Sequence, residues 1–370
     1  MKINGIRLII GVIWSTIFLV LLGCSNDRNT NVEKEPVALS IFKPSYAKGF
    51  EAVLLADSSL KIVLFNLESA GDTLQVIRWR PRELQRLACL STTHVSFLDA
   101  LDKLPVLKGV GFADRLFAPS LKDKVNAGEI INLTTGNELD AEAVFSIQPE
   151  LLFVYPFGGR SYEKFLQKGI GCVQVSEYLE RHPLGRAEWI KLFGYFTGRQ
   201  AQADSIFGII EQEYLTLRDS IANSEGYRPS VFAGSMDGDR WAVPSSNSYL
   251  AQLVNDAGGR WIFSDTSSTG NLVVSFEDFY STASAADYWG KIIYESAAPT
   301  ADMITQGDAR LTELKAFQAH RVFTCNTMVT DYHGQALLEP AALLRDLQKI
   351  FTNVPASESY RYFVPWQFYN

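Results

Sequence analysis

Midway along the chain, Ala201 to Asn223 runs for 23 residues without proline and with a single internal glycine, and Ile206, Ile209, Ile210, Leu217 and Ile221 recur mainly at helical intervals. The spacing predicts one unbroken helix. At 1.5 Å per residue it spans about 35 Å, enough to reach from one folded body to another. The 370 residues also exceed what a single core usually supports. One large or two linked lobes are therefore expected, and a rod of this length suits a stiff connector between two.

Both flanks of the rod alternate strands with helices. Ahead of it, the apolar Leu87 to Leu90 runs into Ser91-Thr92, good helix caps, and a helical stretch to about Leu101. "KGVGF" reads as the next strand. Asp140 can cap a helix carrying Glu142, which Pro149 ends. Leu151 to Tyr155 is a buried strand stopped by Pro156 and Gly158-Gly159. A helix near Tyr162 to Lys168 and a strand at Gly171 to Val175 follow. Beyond the rod, "PSVFAGS", "RWAVP", "GKIIYES" and "HRVFTCN" read as strands, and "SSNSYLAQLVNDAGG" as a helix with a serine cap and a glycine stop. Ser275 opens another helix, with Asp278 placed for a capping box. "EPAALLRDLQKIF" is an amphipathic terminal helix with Pro340 near its start. Such alternation predicts α/β lobes with mostly parallel sheets. The lobes echo each other: Asp140-Ala141-Glu142 and Ser275-Phe276-Glu277 each place a cap two residues before a glutamate. Pro36 to Trp79 instead alternates apolar and polar residues around Gly71-Asp72, the pattern of strands joined by tight turns.

The first residues address the chain. Lys2 and Arg7 precede an uncharged apolar run, Leu8 to Leu22, ending in Leu21-Leu22-Gly23-Cys24. A charged start, a short apolar core and a small residue before the cleavage point read as a secretory signal, and the run is shorter than the ~20 residues a spanning helix needs. The ending resembles the lipobox of bacterial lipoproteins, which implies lipidation of Cys24 and removal of residues 1–23. The polar Ser25 to Glu35 reads as a tether. Removing the signal leaves 32 basic against 41 acidic residues, a net charge of −9, which argues against a nucleic-acid partner. Cys89, Cys172 and Cys325 are odd in number, widely spaced and free of any C-x-x-C, so they read as buried free thiols.

Six segments taken in order carry a family resemblance: "LACLSTTHVSFLDALDKLPVLKGVG", "LDAEAVFSIQPELLFVY", "GRAEWIKLFGYFTGRQAQADSI", "WAVPSSNSYLAQLVNDAGG", "VVSFEDF" and "LEPAALLRDLQKIF". The chain resembles the helical-backbone solute-binding proteins that serve iron-siderophore, haem and cobalamin importers, over roughly residues 85–355. The resemblance implies two Rossmann-like lobes joined by one long helix, a ligand in the cleft between them, and small hinge motion. The implied divisions are a signal (1–23), a tether (24–35), an N-terminal β extension (36–84), lobe one (85–182), an inter-lobe helical region (183–225) and lobe two (226–370). It implies a periplasmic protein held to the cell membrane by its lipid, with an ABC permease and its ATPase as partners and no cofactor of its own. In that family one surface glutamate per lobe pairs with permease arginines; by motif position these are Glu142 and Glu277. A carboxylate in the first turn of a helix is favoured by the helix dipole, and two such charges on separate lobes can set register on a basic partner.

Ligand contacts are expected on loops leaving the C-terminal ends of the strands, where open α/β sheets bind. That selects Thr93, His94, Phe112, Arg115, Tyr155 and Phe157 in lobe one, and Trp241 and Tyr332 in lobe two. Aromatic loop tips suit a flat macrocycle or a catecholate complex, and arginines suit ligand carboxylates. Each aromatic can equally serve as core. Three other readings stand beside this one. Catalysis is disfavoured: "GSMDG" puts its serine in the wrong place for a nucleophile elbow, and "GVGFAD" lacks the third glycine of a dinucleotide loop. A divalent metal needs three or four converging ligands, and the four histidines form no H-x-H or H-E-x-x-H pair, although His94 and His333 can face each other across the cleft. The third is a surface lipoprotein with no transport role.

Overall fold

A computed structural model describes residues 36–69, 71–156, 161–264, 270–354 and 359–369. The signal, the tether, Cys24 and Phe157 lie outside them.

The extension is an antiparallel meander of β1 (Ala38–Phe42), β2 (Phe50–Leu55), β3 (Leu60–Phe65) and β4 (Thr73–Trp79). Period-two alternation turns Phe50, Ala52, Ile62, Leu64 and Trp79 into the protein, where all are buried.

Lobe one follows in chain order: β5 (Leu87–Cys89), α1 (Thr92–Ala100), β6 (Leu107–Val110), α2 (Pro119–Asn126), β7 (Ile131–Asn132), a small hairpin of β8 (Thr134–Thr135) and β9 (Glu138–Leu139), α3 (Ala141–Ile147), β10 (Leu151–Val154), α4 (Glu163–Leu166) and β11 (Gly171–Gln174). Its parallel sheet is ordered β11-β10-β5-β6-β7. This is the order of the first five strands of a dinucleotide-binding fold, with the switch point between β5 and β10. Three helices complete the middle of the chain: α5 (Pro183–Glu188), α6 (Ile190–Thr197) and the unbroken 23-residue α7 (Gln200–Ala222).

Lobe two continues with β12 (Ser230–Ala233), β13 (Ser235–Asp237), β14 (Arg240–Pro244), α8 (Tyr249–Asp256), β15 (Arg260–Trp261), β16 (Asn271–Ser275), α9 (Phe276–Ala283), β17 (Tyr288–Ile293), α10 (Ala301–Thr305), α11 (Lys315–Gln318), β18 (Val322–Asn326), α12 (Pro340–Phe351) and β19 (Val364–Pro365). Its main sheet is ordered β15-β12-β17-β18-β19, parallel except for β19. A second, antiparallel sheet, β13-β14-β16, takes the segment "RWAVP" out of the main sheet.

The rod ties the lobes together. Near its start, Gln202 donates to the Ala100 carbonyl at 3.2 Å and to Asp102 at 2.9 Å, at the end of α1. Further along, the Tyr214 hydroxyl donates to Asp256 at 2.6 Å, at the end of α8.

The extension is locked to the same region by two buried carboxylates. Glu188 accepts from the amides of Ser45, Tyr46 and Ala47 at 3.0, 2.8 and 3.0 Å. Glu180 accepts from the amides of Lys48 and Gly49 at 2.8 and 2.9 Å and from the Trp189 indole at 3.0 Å. Burial nonetheless raises the Glu180 carboxyl above its ordinary pKa, against these hydrogen bonds. A Cβ on Gly49 would stand 2.3 Å from the Trp189 ring, so the loop requires glycine there. From β4, Gln75 donates to the Cys172 carbonyl at 2.7 Å and accepts from the Gln174 amide at 3.0 Å. Its side-chain amide thus satisfies the outer edge of β11 as a neighbouring strand would.

Asp140 caps α3 by accepting from the Ala143 amide at 3.0 Å, and Ser275 caps α9 by accepting from Asp278 at 3.1 Å. Cys89, Cys172 and Cys325 are buried and free; burial pushes the thiols of Cys172 and Cys325 up to about 12. Among the described residues no helix is long and apolar enough to cross a membrane.

Candidate inter-lobe binding site

A hollow of about 80 Å³ lies between the lobes. Lobe one and α5 contribute Thr93, Glu177, Tyr178 and Arg186; lobe two contributes Tyr249, Tyr332, His333 and Leu337. Thr93 follows β5, Glu177 and Tyr178 follow β11, and Tyr332 and His333 follow β18, all at C-terminal strand ends. A larger hollow of about 190 Å³, bordered by Tyr288, Arg321 and Lys349, lies at the opposite end of lobe two, where β17 and β18 begin. It is at the wrong edge of the sheet for ligand binding of this kind.

The floor of the cleft is a directed hydrogen-bond chain. Ser91 caps α1 and lies 2.8 Å from the Thr93 hydroxyl. Thr93 donates to Glu177 at 2.5 Å. A carboxylate only accepts, so the Ser91 hydroxyl must donate to Thr93, which keeps one lone pair for a ligand. Glu177 is 2% exposed, and its second oxygen has no hydrogen-bond partner. His94 Nε2 stands 3.8 Å from that oxygen, too far for a hydrogen bond. Desolvation alone would raise the Glu177 carboxyl; His94 and the Thr93 hydroxyl outweigh it and hold it below its ordinary value.

Arg186 spans the cleft. It donates to the carbonyls of Tyr178 at 2.6 Å and Glu180 at 3.4 Å, and its guanidinium lies 3.9 Å from the centre of the Tyr249 ring. Burial holds the phenols protonated: those of Tyr178 and Tyr249 are pushed up to about 12, and that of Tyr332 rises well above its ordinary value. Desolvation lowers the His333 pKa, and the charges of Arg115 and Arg186 lower it further against the opposing Asp331. The cleft therefore offers hydroxyl donors, one carboxylate and one guanidinium around an aromatic wall.

Of the residues named from sequence, Thr93, Tyr332 and His333 line the hollow. His94 lies directly behind it, fully buried between Glu177, Phe153 and Phe193. Arg115 stacks its guanidinium 4.7 Å over Phe112, whose left-handed backbone (φ 53°) turns the chain out of β6. Neither borders the hollow, although the charge of Arg115 is felt at His333. Tyr155 is half-buried just beyond β10, its carbonyl accepting from the Tyr162 hydroxyl at 2.9 Å. Trp241 requires a correction. It is fully buried, stacked on Phe279 at 3.7 Å, because β14 belongs to the accessory sheet and turns Trp241 inward. Glu142 and Glu277 are exposed in the first turns of α3 and α9. Sequence reasoning passed over Glu177, Tyr178, Arg186 and Tyr249. Glu177 was findable by the strand-end rule, two residues past "GCVQV"; Arg186 and Tyr249 sit on helices and carry no such signal. Among the described residues no three His, Cys, Asp or Glu side chains converge as metal ligands.

Two parallel sheets presenting their strand ends to one gap, with a single rod between them, define a bilobed binding protein. Residues 87–328 match the periplasmic binding protein family model, and the chain belongs to that family. An uncharacterized lipoprotein of Methanocaldococcus jannaschii is 27% identical over 76% of this chain and 68% of its own length. Among solved structures, a periplasmic heme binding protein from Pseudomonas aeruginosa superposes with a TM-score of 0.61 at 18% identity, covering 76% of this chain and 97% of that one. An ABC-type Fe3+-hydroxamate transport system structure from Saccharomonospora viridis gives 0.58 at 15% identity, covering 78% and 98%. At these identities the structural likeness concerns the fold.

Proposed function

We propose that this chain is the substrate-binding lipoprotein of an ABC importer, held at the periplasmic face of a membrane through Cys24. It captures an iron-siderophore, haem or cobalamin-type ligand between its lobes. The observation that carries the reading is the hollow fed by Thr93 and Glu177 from one lobe and Tyr249 and Tyr332 from the other, with Arg186 across it. The family, the heme and Fe3+-hydroxamate names of its structural neighbours, and the lipoprotein name of its relative support it. Protonated phenols and a guanidinium suit the carboxylates and oxygen donors such ligands carry.

Size sets a condition. Pockets for drug-sized ligands measure about 300–1,000 Å³, well above the present hollow, so a ligand of this class seats only when the lobes part. Phe112, Arg115 and Tyr155, on loops at the same edge of lobe one, then join the contact surface. In this reading Glu142 and Glu277 are the permease contacts. Titrating the purified protein with haem, cobalamin, and ferric hydroxamate and catecholate siderophores tests it by intrinsic fluorescence. One of them is expected to quench emission at sub-micromolar concentration. Silence across the panel overturns the reading.

A further inference from the structure

Half of the buried side-chain polar atoms that lack a hydrogen bond among the described residues sit together at the floor of the cleft: Glu177 Oε2, Ser176 Oγ and both ring nitrogens of His94. Buried polar atoms are normally paired, so a cluster of unpaired ones marks a place built for something other than packing. Of these three residues, Glu177 borders the hollow. It is 2% exposed, and its other oxygen accepts from Thr93. His94 stands 3.8 Å from Oε2, its ring held against Phe153 and Phe193. Desolvation opposes the charge on Glu177, yet His94 and Thr93 hold the carboxyl below its ordinary value, so it meets a ligand as a carboxylate.

The chemistry around this atom has a direction. Toward a ligand, Glu177 Oε2 and the remaining lone pair of Thr93 only accept. The rest of the hollow offers donors: Arg186 and the protonated phenols of Tyr178, Tyr249 and Tyr332. A group seated between them needs an N–H for the floor and a C=O for the wall. An amide carries both. A carboxylate brings acceptors alone, leaves Glu177 unpaired and repels it.

We infer that the ligand enters this cleft amide first, its N–H on Glu177 and Thr93 and its carbonyl toward Arg186 and the phenols, and that a ring edged with carboxylates is rejected. The inference rests on the importer reading proposed above and narrows it. Of the ligand classes named there, haem is edged by carboxylates. Corrinoids are fringed with primary carboxamides, and many ferric hydroxamates carry secondary amides. A buried acceptor selects strongly, because a ligand without the matching donor leaves it desolvated and unpaired.

The test titrates cyanocobalamin, ferrioxamine E and hemin by calorimetry into wild-type protein and into Glu177→Gln. One of the two amide-bearing probes is expected to bind at sub-micromolar concentration, and hemin at least about tenfold more weakly. Which of the two binds tells a corrinoid from a hydroxamate. A glutamine at this position donates to a carboxylate as readily as it accepts from an amide, so in the variant the gap between that probe and hemin should narrow severalfold. A gap that stays constant, even with all affinities lowered, means that Glu177 only supports the fold and overturns the inference. Hemin binding the wild-type protein as tightly as the better amide probe, or a ferric catecholate binding where both amide probes are silent, overturns the inference and leaves the importer reading standing. Silence of the whole panel overturns both. A thermal melt checks that Glu177→Gln is folded; should it not be, the ranking of the probes on wild-type protein decides.

Discussion

The Arg186 guanidinium lies 3.9 Å from the centre of the Tyr249 ring while donating to the carbonyls of Tyr178 and Glu180. One side chain thus holds lobe one by its edge and lobe two by its face. Only a planar, forked cation does both. Arg186→Lys keeps the charge and loses the geometry, and is expected to weaken ligand binding about tenfold, within the range of a partly desolvated cation–π contact. A fluorescence titration measures it. Unchanged affinity would make Arg186 scaffolding only.

Glu188 satisfies three amides of the loop between β1 and β2. Glu188→Ala leaves them without their acceptor and should cost on the order of 3 kcal/mol, read as a lower urea midpoint. Gly49→Val should destabilise the same joint by steric conflict with Trp189. A midpoint unmoved by either change would mean that the extension unfolds independently.

Glu142 and Glu277 stand exposed in first turns on separate lobes. Reversing both to lysine should abolish uptake in cells and leave ligand affinity and melting temperature unchanged. Full uptake by the double variant would remove them as docking contacts.

Asp287 supplies an acid-sensitive joint in lobe two. Desolvation would raise its carboxyl, but Lys315, the hydroxyl and amide of Ser230 and the Tyr227 phenol outweigh it and hold it well below the carboxylate range. The unfolded chain then takes up this proton first as pH falls. The contribution is fully present above the unfolded value of about 4 and is lost as pH drops through the folded one. Asp287→Asn should be less stable at neutral pH, and the gap should narrow on acidification below about pH 4. Urea midpoints across that range decide it; a constant gap would contradict the linkage.

Most of the architecture was legible because local chemistry marks it. Ser91, Asp140 and Ser275 announce helices, and the proline-free 201–223 run became α7 nearly residue for residue. Trp241 misled because an aromatic beside a proline reads alike whether its strand belongs to the main sheet or to an added one; pairing with the distant β16 settled the matter. The strand β16 went unread, because its last residue, Ser275, signals only the helix it caps. Arg186 was missed for a related reason: its importance comes from Tyr249 across the cleft, and no local pattern encodes a partner on another lobe.

The amide of Gln75 clasping the rim of β11 has a practical corollary. A fragment trimmed to start where the family likeness does, at residue 87, would bare a raw strand margin and take from Glu180 and Glu188 the five backbone amides they hold. Such a piece would clump or melt despite containing both lobes. Kinship and cooperative stability therefore end at different residues in this chain.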